Sequence, residues 1–169
     1  TLSVERFMKR FYLIVKDVGS LTRLFCTELD NYNDVQPIYL SATYDRDWKD
    51  FKLKNRQVFY NKNKTEGKIE KVNPIIILKI YEFAQNRNLD IHPSTIYSII
   101  NSKRTISDFE NKKELYNIFI CILLSSKNSE KYLRLMNECG VLGKLFPDFQ
   151  KIVGLMQYNM YHHYTVDEH

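Results

Sequence analysis

Pro74-Ile-Ile-Ile-Leu-Lys-Ile-Tyr-Glu-Phe-Ala84 reads as the opening and body of a buried α-helix. Proline has a fixed φ and no N–H, so it suits a first helical position, where that N–H would lack an intrahelical partner anyway. Behind it Ile77, Leu78, Ile80, Tyr81 and Ala84 predict a buried helix that ends near Asn86 to Asn88. A buried helix needs cover, and the sequence on both sides supplies it. Downstream, Pro93 opens a second helix holding Ile96, Tyr97, Ile99 and Ile100. Ser107-Asp-Phe-Glu110 has the capping-box pattern, in which Ser and Glu three apart satisfy each other's orphan N–H groups, ahead of Leu115, Ile118, Phe119, Ile122 and Leu123. A helix from about Ser129 places Tyr132, Leu133 and Met136 inward and stops at Gly140, where positive φ is allowed.

Upstream, Val4, Phe7, Met8, Phe11, Ile14, Val15, Val18, Leu21 and Phe25 follow the spacing of one helical face, with Ser3 as N-cap, so a long amphipathic helix is predicted to about Leu29. Asp30 to Asp50 reads as a connection with one helical turn. Phe51-Lys-Leu53 and Val58-Phe-Tyr60 alternate in type, and Gly67 to Val72 could pair back on them. The expected fold is mainly α, a multi-helix bundle of six to eight helices with one small β-hairpin. Its expected divisions are a helical segment over 1–48, a basic hairpin over 49–72, a helical linker domain over 73–160, and the start of a further domain over 161–169.

With 169 residues, 44% apolar and 14% aromatic, the chain can fill a core for one domain or two small helical subdomains. Ile75 to Ile80 and Ile118 to Leu124, its longest apolar stretches, fall far short of the roughly 20 residues that cross a bilayer, so no membrane partner is expected. The opening Thr1-Leu2-Ser3-Val4 has neither Met nor leader and reads as an internal segment of a larger protein. Cys26, Cys121 and Cys139 are far apart and lack a C-x-x-C, so buried reduced thiols of a cytoplasmic protein are expected.

The net charge of +5 is concentrated in residues 49–71, where eight basic residues face three acidic ones and leave the rest of the chain neutral. Clustered lysines with Phe51, Phe59 and Tyr60 could suit nucleic acid, but specific binders favour arginine forks, and here one Arg stands among seven Lys. A solvated hairpin, or one facing an acidic protein surface, is the better reading. The chain has no Gly-rich phosphate loop, no G-x-S-x-G and no H-E-x-x-H, and with five glycines a backbone cradle for phosphate is not expected.

Tyr161-His-His-Tyr-Thr-Val-Asp-Glu-His169 holds three His and two acids, good ligands for a divalent ion. On a helix His163 and Asp167 share a face, whereas Asp167 and His169 diverge, so at most two ligands converge, too few for a self-contained structural site. The bland reading is a surface helix with polar ends.

The run from Leu133 through Met136-Asn-Glu-Cys-Gly140-Val-Leu-Gly143, Leu145-Phe-Pro147-Asp-Phe149 and Met156-Gln157 to Tyr161-His162-His-Tyr164-Thr-Val-Asp-Glu-His169 closely resembles the bacterial bifunctional protein-PII uridylyltransferase/uridylyl-removing enzymes. In that family M-x-x-x-G-[VL]-L-G leads through L-x-P-[ED]-F and M-Q to F-H-x-Y-T-V-D-E-H, the lead-in to an HD-type phosphohydrolase domain. Val4-Glu-Arg-Phe-Met-Lys-Arg-Phe-Tyr12 and Phe51-Lys-Leu-Lys-Asn55 are similar to upstream family segments in the same order. Asn159 stands where the family commonly has Asp.

The resemblance implies a central helical region between a nucleotidyltransferase domain and an HD domain. The parent enzyme would use UTP and Mg or another divalent metal to attach UMP to the PII signal protein, and would remove it again. It also implies that His169 is the first His of the HD metal set and that His162 has a supporting role. The transferase motif G-S-x-G-R does not occur here, so no catalytic residue and no cofactor is expected within this segment itself. A non-catalytic helical interaction or regulatory module is the alternative.

Overall fold

The structure, a computed structural model, describes residues 2–32, 51–54, 56–60, 72–156 and 164–169. It is mainly α, with eight helices among these residues and a three-stranded sheet of short strands. Helix α1 spans Leu2–Tyr32; strands β1 (Phe51–Lys54) and β2 (Gln57–Tyr60) precede α2 (Pro74–Arg87). Then come β3 (Asp90–Ile91), α3 (Pro93–Ser102), α4 (Arg104–Ser107), α5 (Lys112–Leu124), α6 (Ser129–Glu138), α7 (Val141–Leu145) and α8 (Pro147–Ile152).

Helix α2 is the axle of the fold. The Asn73 side chain accepts from the Ile75 N–H at 2.9 Å, capping the start, and Pro74 occupies the first turn as expected. Asn88 ends the helix in the left-handed region with φ +50°, a conformation asparagine tolerates better than most residues. Ile77, Leu78, Ile80 and Tyr81 are fully buried, and α5 lies along the helix with α6 closing the other side. The buried Gln85 amide in this layer is paired, as burial favours. The Gln85 amide donates to the Ile122 carbonyl at 3.0 Å and to Ser129 Oγ at 3.2 Å, tying α2 to the end of α5 and the start of α6.

The hairpin forms where alternation predicts it, with Phe51 opposite Tyr60 and Lys54 opposite Gln57, and Arg56 at φ +59° in the turn. The 67–72 segment expected to pair back on it lies outside the described residues, except for Val72. Among the described residues the third strand is β3, which pairs parallel to β2, Gln57 with Asp90 and Val58 with Ile91, on the far side of the α2 crossover. Val72, the described end of that segment, donates its N–H to Ser102 Oγ at 2.9 Å.

Four local expectations are corrected. Ser107 ends α4 and does not cap α5, which starts at Lys112 with Asn111 before it; the Asn111 amide donates to Glu114 Oε2 at 3.1 Å. Ser3 lies inside the first turn of α1. The interval from Asp30 does not begin as a connection, since α1 continues to Tyr32, and 33–50 lies outside the described residues. Of the three thiols, Cys139 is buried but Cys26 and Cys121 are exposed, because each falls on the outer face of its helix.

The apolar face of α1 also departs from expectation. Phe7, Ile14, Leu21 and Phe25 keep 63–67% of their surface exposed, and Val4, Phe11, Val15, Val18 and Leu29 keep about half. The helix instead rests on the body by its other side. Lys9 Nζ donates to the Lys151 carbonyl at 2.9 Å, Arg23 pairs with Glu138, and Leu24 packs against the core. Soluble domains rarely leave a contiguous apolar patch of this extent uncovered without a partner for it.

Burial sorts the thiols by reactivity. It pushes the Cys139 thiol up to about 11, and the thiolate is the reacting species. A chromogenic thiol reagent at pH 8 is expected to titrate two thiols of the folded chain rapidly and the third only after denaturation. Three fast thiols would contradict the placement of Cys139.

Candidate functional site

The histidine-rich run ends in a turn, Tyr164 to His169, held by its own backbone. The N–H groups of Glu168 and His169 donate to the Thr165 carbonyl at 3.0 and 3.2 Å, and the Val166 N–H donates to the Leu155 carbonyl at 2.8 Å. Three chemistry-bearing side chains leave this turn in three directions. Asp167 points inward, with 2% of its side chain exposed. Oδ1 accepts from the Gly154 N–H at 2.9 Å, and Oδ2 accepts from Asn137 Nδ2 at 2.8 Å and Lys16 Nζ at 3.2 Å. Glu168 pairs with Arg134, which also reaches Glu130 at 3.0 Å. His169 is exposed and meets the Tyr164 ring edge-on at 5.9 Å between centroids.

Burial raises the Asp167 carboxyl, but hydrogen bonds from Asn137, Thr165 and the Gly154 N–H, with the charge of Lys16, outweigh it and hold the group below the usual carboxylate range. Asp167 is thus an anion whose two oxygens are already engaged by protein donors. That does not fit the role of a metal ligand, one of the uses considered for it in the sequence. His169 does fit as one imidazole donor, since it is exposed at the end of a braced turn. His162 and His163 lie outside the described residues. Among the described residues, no three His, Cys, Asp or Glu side chains gather as a metal cluster.

Beside His169 runs an apolar groove of about 290 Å³, walled by Phe119, Leu133, Leu142, Phe146 and Phe149. Phe119 meets Phe146 edge-on at 4.9 Å and Tyr116 stacks on it at 5.6 Å, fixing the joint between α5 and the α7–α8 corner. On the other side of α6, a larger groove of about 620 Å³ carries Arg23, Lys131 and Arg134. Each of these cations faces a carboxylate: Glu138, Asp90, and Glu130 with Glu168. An anion entering there would have to displace an ion pair, so the groove is poorly suited to phosphate. The anchoring role of Asp167 escaped sequence reasoning, because its donors lie 13, 30 and 151 residues away and no local signal announces them.

The described residues therefore define a helical packing domain with a braced C-terminal turn and an uncovered N-terminal helix. Residues 63–145, from before α2 to the end of α7, match the family model of the third domain of uridylyltransferase GlnD. Over these residues the chain is similar to that domain, which supports its identification with the uridylyltransferase GlnD family. No solved structure matches the chain. Among the described residues no helix is long and apolar enough to cross a membrane.

Proposed function

We propose that this chain is the central helical region of a bifunctional protein-PII uridylyltransferase/uridylyl-removing enzyme of the cytoplasm, packing between a nucleotidyltransferase domain and an HD-type phosphohydrolase domain. The observation that carries the reading is the GlnD third-domain match over 63–145. The exposed apolar stripe of α1 supports it, as a face suited to a neighbouring domain of the same enzyme. In this reading the parent attaches UMP from UTP to the PII signal protein and also removes it.

The residues of this chain have modest chemical duties. His169 would contribute one nitrogen to the divalent ion, Mg or another, that when bound activates water against the phosphodiester linking UMP to PII. His162 would support that donor. Asn137, Gly154 and Lys16 hold the turn from below through Asp167, and Arg134 holds it from the side through Glu168. Without the G-S-x-G-R motif, and with His169 as one donor of the hydrolytic metal set, the chain by itself should neither transfer UMP nor remove it.

A direct assay tests the last point. Purified chain is incubated with UTP, PII and Mg²⁺, and separately with uridylylated PII and Mn²⁺; no turnover above buffer is expected. Turnover that survives repurification would place a complete active site within these residues and overturn the reading. The second reading, a non-catalytic helical interaction or regulatory module, draws on the α1 stripe alone. It would gain if the complete parent carried no HD domain.

A further inference from the structure

We propose that Asp167 is the positioning residue of the His169 turn, its buried carboxylate locking that turn to α1 through Lys16, to α6 through Asn137 and to the Gly154 amide. The inference rests on the reading of His169 as a donor to the hydrolytic metal, and extends it to the device that aims the donor.

Two features separate this carboxylate from an incidental surface contact. The first is burial. Glu168 and Arg134 also tether the turn, but Arg134 is exposed, and such pairs are held weakly in water. The Asp167 carboxylate is shielded from solvent and takes donors from α1, α6 and the Gly154 amide, so withdrawing one leaves a buried charge short of partners. The second feature is rigidity. Glu168 and His169 both donate their N–H groups to the Thr165 carbonyl, so Thr165 to His169 moves as one turn and a shift of the Asp167 carboxylate carries the His169 backbone with it. Residues that orient a metal donor without touching the metal commonly hold it by such hydrogen bonds. Lys16 adds a consequence: α1, which rests on the body by the face opposite its exposed stripe, reaches the His169 turn through the Lys16–Asp167 ion pair.

The test uses the complete enzyme and two readouts. Hydrogen–deuterium exchange follows the amides of Val166, Glu168 and His169 against those of α2 and α5. Electron paramagnetic resonance follows the Mn²⁺ population whose binding His169→Ala removes. Lys16→Met, which removes one donor from a partly exposed position and should not disturb folding, is expected to speed exchange in the turn about tenfold while leaving α2 and α5 unchanged. Asp167→Asn is expected to do at least as much and to weaken His169-dependent Mn²⁺ binding by about 10 to 100-fold. Unchanged exchange in the turn for both variants would overturn the proposal. So would a rise spread evenly over α2, α5 and the turn, since that reports global stability alone. If His169→Ala itself leaves Mn²⁺ binding intact, the reading of His169 as a donor fails, and the exchange result still decides whether Asp167 locks the turn.

Discussion

Replacing His169 by alanine in the complete enzyme is expected to reduce UMP removal by roughly three orders of magnitude or more while leaving UMP transfer within a few-fold, as loss of one member of a catalytic unit does. The asymmetry follows from where the chemistry sits. A histidine donor fixes both the position of the ion and its open coordination place, so losing it disables the hydrolytic step as a whole. In the proposed reading the transferase residues belong to another domain, and the G-S-x-G-R motif does not occur in this chain. His169 is exposed, so the substitution should not unfold the helical region. His162→Ala should be milder, with removal lowered about 10 to 100-fold, the usual range for a residue that supports a donor. Rate measurements in both directions with uridylylated and unmodified PII check the prediction. Near-normal removal by His169→Ala would sever this turn from the hydrolytic site.

The second large effect concerns stability. Tyr132 is fully buried, and its hydroxyl lies 3.0 Å from the Ala84 carbonyl and 2.8 Å from the Leu89 carbonyl. It thereby ties α6 to the exit of α2, where β3 begins. Tyr132→Ala removes a full ring from a close-packed layer and is expected to cost about 3 to 5 kcal/mol, a large share of the stability of an ordinary domain. Tyr132→Phe keeps the ring and withdraws the donor from two buried carbonyls, for about 1 kcal/mol. Burial and the nearby charge of Asp90 push the Tyr132 hydroxyl up to about 12. A group whose folded pKa is raised contributes fully below its unfolded value, roughly 10, and loses that contribution as pH climbs toward the folded value. The gap between wild type and Tyr132→Phe in urea unfolding should therefore hold through neutral pH and narrow above about pH 10. A Tyr132→Ala protein as stable as wild type would mean that α6 does not depend on this ring.

What was legible in the sequence is what short stretches decide for themselves. Pro74 and Pro93 open helices because a residue without an N–H loses least there, and Gly140, at φ +73°, ends α6 as anticipated. The apolar periodicity of α2, α5 and α6 marked the side chains that fill the core, and the alternation over 51–60 marked the hairpin. The capping box at Ser107 misled because α4 occupies that position, a short helix with little signal of its own.

Tertiary structure alone decided the rest, in each case because the partner lies far off in the chain. β3 is two residues long and exists as a strand only through its pairing with β2. The period of α1 says that one face is apolar but not what covers it, and the body takes the opposite face through Lys9, Lys16, Arg23 and Leu24. Cys26 and Cys121 were read as buried from their apolar neighbours, yet burial depends on which way each helix turns toward the core. In the sequence Asp167 is one acid among histidines. Its inward direction comes from Gly154, Asn137 and Lys16, donors that folding alone brings to one point, and a carboxylate leaves water only where such donors replace it.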